Sequence, residues 1–326
     1  MFSRRHIEST DPDEFFSLIR PNCHNLTVVG RGQFQASATL IEGGRLYAQR
    51  RSEHLGRMIQ VNNPRPGILF LTTPGPPIFC NGFEIGYGDV LLCGPNVTFL
   101  SRLSGHTNWA SMTLSADDME AISTSYFGGS QTHIDGLRVI TPPAAALAHL
   151  RSMHECIESS IEAAGELLDC GAAQRRLEQI LITAMLNIIN EAGVRSDTMA
   201  RQHHHIVINR FFEILDANLG KSLNMQVVSK EIGISSRTFR MACQEQLGIC
   251  PTQYLLLRRM GLARRALQQN DPTLTTVTDI ATELGFWELG RFAVKYHEIF
   301  GETPSTTLRD CNSKGTRFRI GNHVHA

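Results

Sequence analysis

Two stretches near the C-terminal end of this 326-residue chain repeat one plan, and that duplication constrains its fold more than any other feature. Residues 225–254 (MQVVSKEIGISSRTFRMACQEQLGICPTQY) and 277–308 (VTDIATELGFWELGRFAVKYHEIFGETPSTTL) share the same order of parts. Each reads as a short helical pattern, a glycine, a longer helical pattern with basic residues, a second glycine, and a proline three residues on. Val228 and Ile280, Ile232 and Leu284, Gly233 and Gly285, Phe239 and Phe292, Gly248 and Gly301, and Pro251 and Pro304 hold matching positions. Glycine just past a helix end and proline in the first turn of the next helix are what helix termini favour, so each copy is a pair of helices joined by a tight turn. The whole C-terminal part is expected to be helical, at 207–218, 225–232, 236–247, 252–269, 277–284, 288–299 and 305–309.

Helices paired in this way present the second of them to the major groove of duplex DNA, where its first two turns meet base edges. In the first copy that helix starts at Ser235 or Ser236, and Ser236, Arg237, Arg240, Met241 and Gln244 are its candidate DNA-contacting residues, with Phe239 and Leu247 pointing inward. In the second copy Arg291, Val294 and Lys295 form the corresponding side, Gly290 allows close approach, and Phe292, Tyr296 and Phe300 point inward. An arginine paired bidentately with guanine is worth about 1–3 kcal/mol of discrimination, although about half or more of such hydrogen bonds go to the DNA backbone. Glu288, at the start of the second helix, can favour the helix N-terminus or accept from a cytosine amino group. Between the copies, 252–269 carries Arg258, Arg259, Arg264 and Arg265 as a charged stripe, with Leu255, Leu262 and Ala266 on the buried face. A helix there would set the two recognition helices ~34 Å apart, in successive major grooves.

The charge distribution agrees. Residues 1–199 hold 15 Lys and Arg against 20 Asp and Glu, residues 200–326 hold 16 against 11, and the opposite imbalances of five cancel to a net charge of zero. Only the C-terminal part is therefore suited to a polyanion. With 42% hydrophobic residues the chain can bury two ordinary cores. MFSRRHIESTDPDEFF has no apolar signal region, and no run approaches the ~18 apolar residues of a membrane span, so a soluble, cytoplasmic protein without a membrane partner is expected. The eight cysteines include no CxxC pair, which argues for reduced thiols and against zinc or a disulfide framework.

The first 140 residues read as mainly β, with strands at 26–29, 34–41, 45–50, 58–61, 68–72, 89–93, 98–103 and 109–114, a Gly43-Gly44 hairpin turn, a helix at 115–126 and a last strand at 137–141. Many short strands suggest a barrel or sandwich. Such an interior can hold one small molecule, and Phe70, Phe79, Phe83, Arg102 and Trp109 are the candidate effector-binding residues. His54 and His106 stand apart in the sequence, so no metal is expected. From 144 to 191 the period turns helical: Leu147, Leu150, His154, Ile157, Ile161, Ala164 and Leu168 form one stripe, and Leu177, Leu181, Ala184 and Ile188 a second. This helical hairpin buries its seams on itself and the barrel, or also forms a homodimer interface. Residues 193–205, with His203, His204 and His205, are unpatterned and read as a solvated linker, and 311–326 as a basic flexible tail.

The second copy carries the clearest family likeness. Its Ile280-Ala281, Leu284-Gly285-Phe286 and Phe300-Gly301, followed by Thr303-Pro304, resemble the signature of the AraC/XylS family of transcription regulators, and the resemblance covers 206–309, about a third of the chain. Glu288 and Val294 depart from the commoner family pattern, which leaves the clearer base readers in the first copy. GYGDVLLCGPN (86–96) resembles the second half of a cupin-type barrel motif. The resemblance implies an α+β protein: an effector-sensing cupin-like barrel plus helical hairpin at 1–192, the linker, and a double helix-turn-helix domain at 206–310. It further implies an activator that binds double-stranded DNA and a small-molecule effector and meets RNA polymerase. No GxSxG, HExxH, P-loop or GxGxxG is present, so neither a catalytic role nor a cofactor is expected. The rival is a barrel enzyme or ligand-binding protein whose helical part serves protein contacts, and it requires a convergent polar site within 1–140.

Overall fold

A computed structural model describes residues 3–19, 23–127, 134–163, 171–191, 193–195, 199–218 and 223–310. The first part runs β1 (Ser3–Ser9), α1 (Pro12–Ile19), β2 (Cys23–Val28), β3 (Ala36–Gly43), β4 (Leu46–Glu53), β5 (Arg57–Asn63), β6 (Gly67–Leu71), β7 (Ile78–Cys80), β8 (Phe83–Ile85), β9 (Val90–Cys93), β10 (Val97–Leu103) and β11 (Thr107–Thr113). It continues with α2 (Ala116–Phe127), β12 (Leu137–Thr141), α3 (Ala144–Ala163), α4 (Gly171–Glu191) and β13 (Gly193–Arg195). The helical part is α5 (Met199–Ala217), α6 (Met225–Ile232), α7 (Ser236–Leu247), α8 (Pro251–Gln269), α9 (Val277–Glu283), α10 (Leu289–Phe300) and α11 (Pro304–Arg309). The fold is α+β, antiparallel sheets first and helices after.

Eight strands form one sheet, β1-β3-β4-β11-β6-β9-β12-β13, and five form another, β2-β5-β10-β7-β8. Side chains alternate between the two faces of a strand, and this period of two decides what lies inside. Along β11, Trp109, Ser111 and Thr113 line the interior, while Ala110 and Met112 join the apolar layer under α2, α3 and α4. Along β4, Gln49 and Arg51 line the interior and Leu46 and Ala48 join that layer. One end of the interior is filled by Ile78, Cys80, Phe83, Ile85 and Leu103. At the other, α1 supplies Phe15, Phe16 and Ile19 to a cluster with Phe34, Tyr47 and Ile59. Neither β1 nor α1 was expected from the sequence; the apolar run after the acidic DPDE is too short to show a helical period.

The hairpin turn falls on Gly44 and not on Gly43: Gly44 has φ +55°, and Gly43 still pairs with Leu46. Glu178 of α4 receives the Arg45 backbone N–H at 2.5 Å and so holds the hairpin tip against the helices. The expected linker is ordered where it is described. Residues 193–195 pair with β12, and His203, His204 and His205 belong to α5, with His204 bonded to Glu245. Polar helical residues carry no apolar period when their face meets polar partners, which is why this turn of helix read as a linker. Ala164, Leu168 and the tail 311–326 lie outside the described residues.

Of the two hairpin stripes, Leu147, Leu150, Leu181, Ala184 and Ile188 are buried against the sheet. His154 shares that stripe, is 3% exposed, meets Phe70 edge to face at 5.9 Å and offers both ring nitrogens no hydrogen-bond partner. Burial, with a smaller contribution from Arg50, lowers its pKa from 6.5 to about 4. Between those values the unfolded chain binds the proton and the folded chain does not. The contribution of neutral His154 to stability is therefore intact above 6.5 and lost as pH falls towards 4. Replacing His154 by Leu should remove this dependence. Urea denaturation should show the variant gaining ~2 kcal/mol on the wild type when pH is lowered from about 7.5 to about 5.

Candidate nucleic-acid interface and barrel cavity

Four of the six helices from α6 to α11 carry a side-chain N-cap bond. Asn224 caps α6 by accepting from the Gln226 N–H, and Ser235 caps α7 by accepting from the Thr238 N–H. Thr276 and Asp279 form a reciprocal capping box at α9, and Thr303 caps α11. Glu288, before α10, and Cys250, before α8, make no side-chain cap bond. Gly233 and Gly285 sit at the turns with φ +85° and +78°, a conformation that costs other residues about 1 kcal/mol or more. Helix α8 belongs to both units. Its Tyr254 packs with Phe211, Phe212, Phe239 and Val228 of the first, and its Leu257, Met260, Ala263 and Leu267 with Ile280, Phe292, Tyr296 and Leu308 of the second.

Arg237, Arg240, Met241 and Gln244 are exposed on α7, and Phe239 and Leu247 are buried. Neither Arg237 nor Arg240 has an ion-pair partner among the described residues. Ser236 is only half-buried, and its hydroxyl meets that of Ser229, so it ties α7 to α6. On α10, Gly290, Arg291 and Val294 are exposed and Lys295 is partly so. Both cations there are locally paired, Arg291 with Glu288 at 2.8 Å and Lys295 with Glu298 at 2.9 Å. Phe292 and Tyr296 are buried and Phe300 half-buried. Trp287 is 79% exposed, and Leu289 and Val294 of α10 are exposed as well, so the second unit adds apolar surface where the first is cationic. No helical stripe accounts for Trp287, and that mismatch was the signal available in the sequence.

The arginine stripe of α8 is mostly not a solvated face. Arg258 pairs with Asp216 of α5 at 2.5 Å. Arg264 pairs with Asp11 at 2.8 Å and Glu302 at 3.3 Å, and Arg265 with Asp13 at 3.5 Å. Leu255, Leu262 and Ala266, expected inside, are half-buried. Burial works to raise the Asp11 carboxyl, but Arg264 and hydrogen bonds from the Glu14 N–H, Gln268 and Arg264 more than offset it, so its pKa lies below the ordinary value. For Asp13 burial prevails over Arg265, and its pKa is raised. Since Asp11 and Asp13 begin α1, the barrel is anchored to the helix that joins the two units.

The barrel also meets the C-terminal ends of α7 and α10. Gln246 of α7 donates to the Asn81 carbonyl at 3.2 Å, and a Cβ on Gly248 would lie 2.8 Å from Arg102 Nη1. The Gly32 N–H donates to the Ile299 carbonyl of α10 at 3.1 Å. The N-terminal turns of both helices are left exposed.

Of the five candidate effector residues, only Trp109 lines the barrel cavity. Arg102 lies over the Phe79 ring at 3.8 Å, and strand alternation turns both outward to the seam with α7. Phe83 is in the interior cluster at the filled end, beneath Arg201 at 4.5 Å. Phe70 faces the helical hairpin. His54 and His106, apart in sequence, stack at 4.3 Å on the surface, and no group of three or more metal-ligating side chains occurs among the described residues.

The cavity, of about 50 Å³, is lined by polar groups that the sequence did not single out, among them Gln49, Arg51 and Arg57, with Glu53 behind them. Glu53 is fully buried, accepts from Arg57 Nε at 2.9 Å and Nη2 at 3.0 Å, and accepts from Trp109 Nε1 at 2.9 Å. Burial alone would raise the Glu53 pKa; Arg57, and beyond it Arg51 and Trp109, hold it below the ordinary value. Arg57 Nη1 also donates to the Ser101 hydroxyl at 2.9 Å. Gln49, Arg51 and Glu53 alternate with buried and half-buried neighbours, a pattern that in sequence looks like a solvated strand face.

Residues 228–310 match a family model described as a helix-turn-helix domain. The probable thc operon regulatory protein of Rhodococcus erythropolis is 35% identical over 103 residues, 32% of this chain and 31% of its own. The XylDLEGF operon transcriptional activator of Pseudomonas putida is 30% identical over 105 residues, 32% of this chain and 33% of its own. This chain thus spans about a third of the length of the curated relatives it matches. A solved structure of a probable AraC family transcriptional regulator from Rhodopseudomonas palustris is 31% identical, covers 32% of this chain and 97% of its own, and has a TM-score of 0.30.

Replacing Glu53 by Gln leaves Arg57 as a buried, uncompensated charge. Chemical denaturation should show a loss of ~3–5 kcal/mol, most of it recovered when Arg57 is also replaced by Met.

Proposed function

We infer, from a C-terminal domain that belongs to the AraC/XylS family, that this chain is a DNA-binding transcription regulator, an activator, whose barrel takes a small effector. The observation that carries this is the exposure of the first turns of α7 and α10 on two matched units built around one helix, α8. Base reading rests chiefly on α7, where Arg237 and Arg240 are ready to pair, while α10 must first give up the Arg291–Glu288 contact. Such exposed pairs are worth only ~0–1 kcal/mol, so DNA phosphates can displace Glu288. The regulator works in the cytoplasm through DNA and RNA polymerase, and by binding without catalysis; among the described residues no helix is long and apolar enough to cross a membrane. A homodimer formed through the α3–α4 hairpin fits the same reading.

Effector control has a physical route in α1. Phe16 of that helix borders the cavity, and Asp11 and Asp13 at its start hold α8. Whatever enters the cavity and moves Phe16 therefore acts on the helix that spaces the recognition units.

A gel-shift titration with duplex from the protein's own upstream region tests the reading. Affinity should fall steeply between about 50 and 200 mM salt, as several phosphate contacts require. Arg237→Ala and Arg240→Ala should each weaken specific binding by ~1–3 kcal/mol, and Arg291→Ala by less. No binding at low salt, or unchanged affinity in both α7 variants, would remove the regulator reading.

A further inference from the structure

The exposed face of α10 is built differently from that of α7. On α7 the outward side chains able to meet a base edge are Arg237, Arg240, Met241 and Gln244, mostly polar. On α10 both cations are engaged by carboxylates, Arg291 by Glu288 at 2.8 Å and Lys295 by Glu298 at 2.9 Å, while Val294 stands 62% exposed. Helical residues four apart share a face and each side chain leans towards the N-terminus, so Val294 points over Gly290. Since Gly290 contributes no side chain, the valine methyl groups are reached across bare backbone. Nothing internal requires that glycine. Its φ is not positive, a Cβ on it would meet no atom within 4 Å, and glycine is among the poorest helix formers. The helix gains nothing from it, so the open space serves something outside the chain. Glu288 makes no cap bond, so it leaves the first-turn N–H groups of α10 to another acceptor, at the helix end that favours phosphate.

We propose that α10 reads thymine: the Val294 methyl groups pack on the C5-methyl of a thymine in the major groove, admitted by the bare backbone at Gly290. The proposal deepens the DNA-binding reading above and rests on it. The C5-methyl is the apolar group that a base pair presents in the major groove, and it is the partner an aliphatic side chain can recognise there. Guanine instead presents acceptors that need a donor; valine has none, and Arg291 and Lys295 must each leave a carboxylate first. Val294 is the sixth residue of α10, within the first two turns, the part of such a helix that meets base edges. The charge of residues 200–326, 16 Lys and Arg against 11 Asp and Glu, favours a polyanion over a protein as the occupant of this face. Removing one methyl group from water is worth roughly fourfold in affinity.

The full chain is titrated by gel shift, at one fixed salt concentration, with duplex from its own upstream region and with the same duplex made with deoxyuridine in place of thymidine. That replacement removes every C5-methyl and leaves the base pairing and the O4 acceptor intact. The wild type should bind the thymine duplex roughly fourfold or more tightly than the uracil duplex. Val294→Ser should cut that ratio roughly fourfold, by losing affinity for the thymine duplex alone. Gly290→Gln fills the open approach with a better helix former, so it should not lower the melting temperature and should cut the ratio in the same way. Arg237→Ala should weaken both duplexes alike and keep the ratio, because α7 and α10 act as separate sites. Both α10 positions are exposed, so the variants are expected to fold, and their melting temperatures check this. Equal wild-type affinity for the two duplexes, a ratio unchanged in Val294→Ser, or one that disappears only with Met241→Ser on α7 overturns the proposal and leaves the regulator reading standing. Binding to neither duplex at low salt removes that reading and the proposal with it.

Discussion

One buried carboxylate connects the parts of this molecule. Asp11 caps α1 by accepting from the Glu14 N–H at 3.0 Å, and its other oxygen accepts from Arg264 at 2.8 Å and Gln268 at 2.6 Å. Removing a partner from such a pair costs ~3–5 kcal/mol, because it leaves a buried charge alone, whereas the intact pair adds little over an apolar contact of the same shape. Its value lies in specificity: α8 docks on the barrel in one register, with Arg264 on Asp11 and Arg265 on Asp13. The positions of α7 and α10 follow, since α8 is the shared core of the two units.

The barrel reinforces that placement by meeting α7 and α10 at their C-terminal ends, through Asn81, Arg102 and Gly32. Helix C-termini carry unpaired carbonyls, and the Gly32 N–H satisfies one of them at Ile299. The N-terminal turns, where helix dipole and side chains favour phosphate, stay open. The two faces differ in kind. On α7 the arginines are unneutralised, while on α10 Glu288 and Glu298 neutralise the cations and Trp287, Leu289 and Val294 add apolar surface.

The helical units were legible in the sequence because helix ends have local chemistry: Gly233, Gly285, Ser235 and Pro304 do the same work wherever the helix is packed. The β-region was legible as strands for the same reason, through alternation. The cavity was not, since alternation gives two faces without saying which is inside. Phe79 and Arg102 drew attention by residue type and turned outward, whereas Gln49, Arg51 and Glu53 looked like a wet face and turned inward. The α8 arginines show the complementary limit. A charged stripe at helical spacing reads as solvent-facing, and nothing local reveals that Arg264 meets a carboxylate 253 positions earlier.

Whether a molecule as small as the cavity admits can matter to DNA binding is a question of magnitude. A ligand shifts an equilibrium only by its difference in affinity between the two states. At a ceiling of about 1.5 kcal/mol per non-hydrogen atom, a five-atom ligand has at most ~7.5 kcal/mol to distribute, and a realistic share is a few. That is the same order as the ~3–5 kcal/mol associated with separating Asp11 from Arg264. Between them lies α1, eight residues long and buried at Phe15, Phe16 and Ile19. A helix that short, held by packing at one face and ion pairs at one end, would transmit a displacement of Phe16 to Asp11 and Asp13. Linkage then makes the effect reciprocal: if occupancy of the cavity weakens the seam, DNA that favours the freed α8 must raise the cavity's affinity by the same factor.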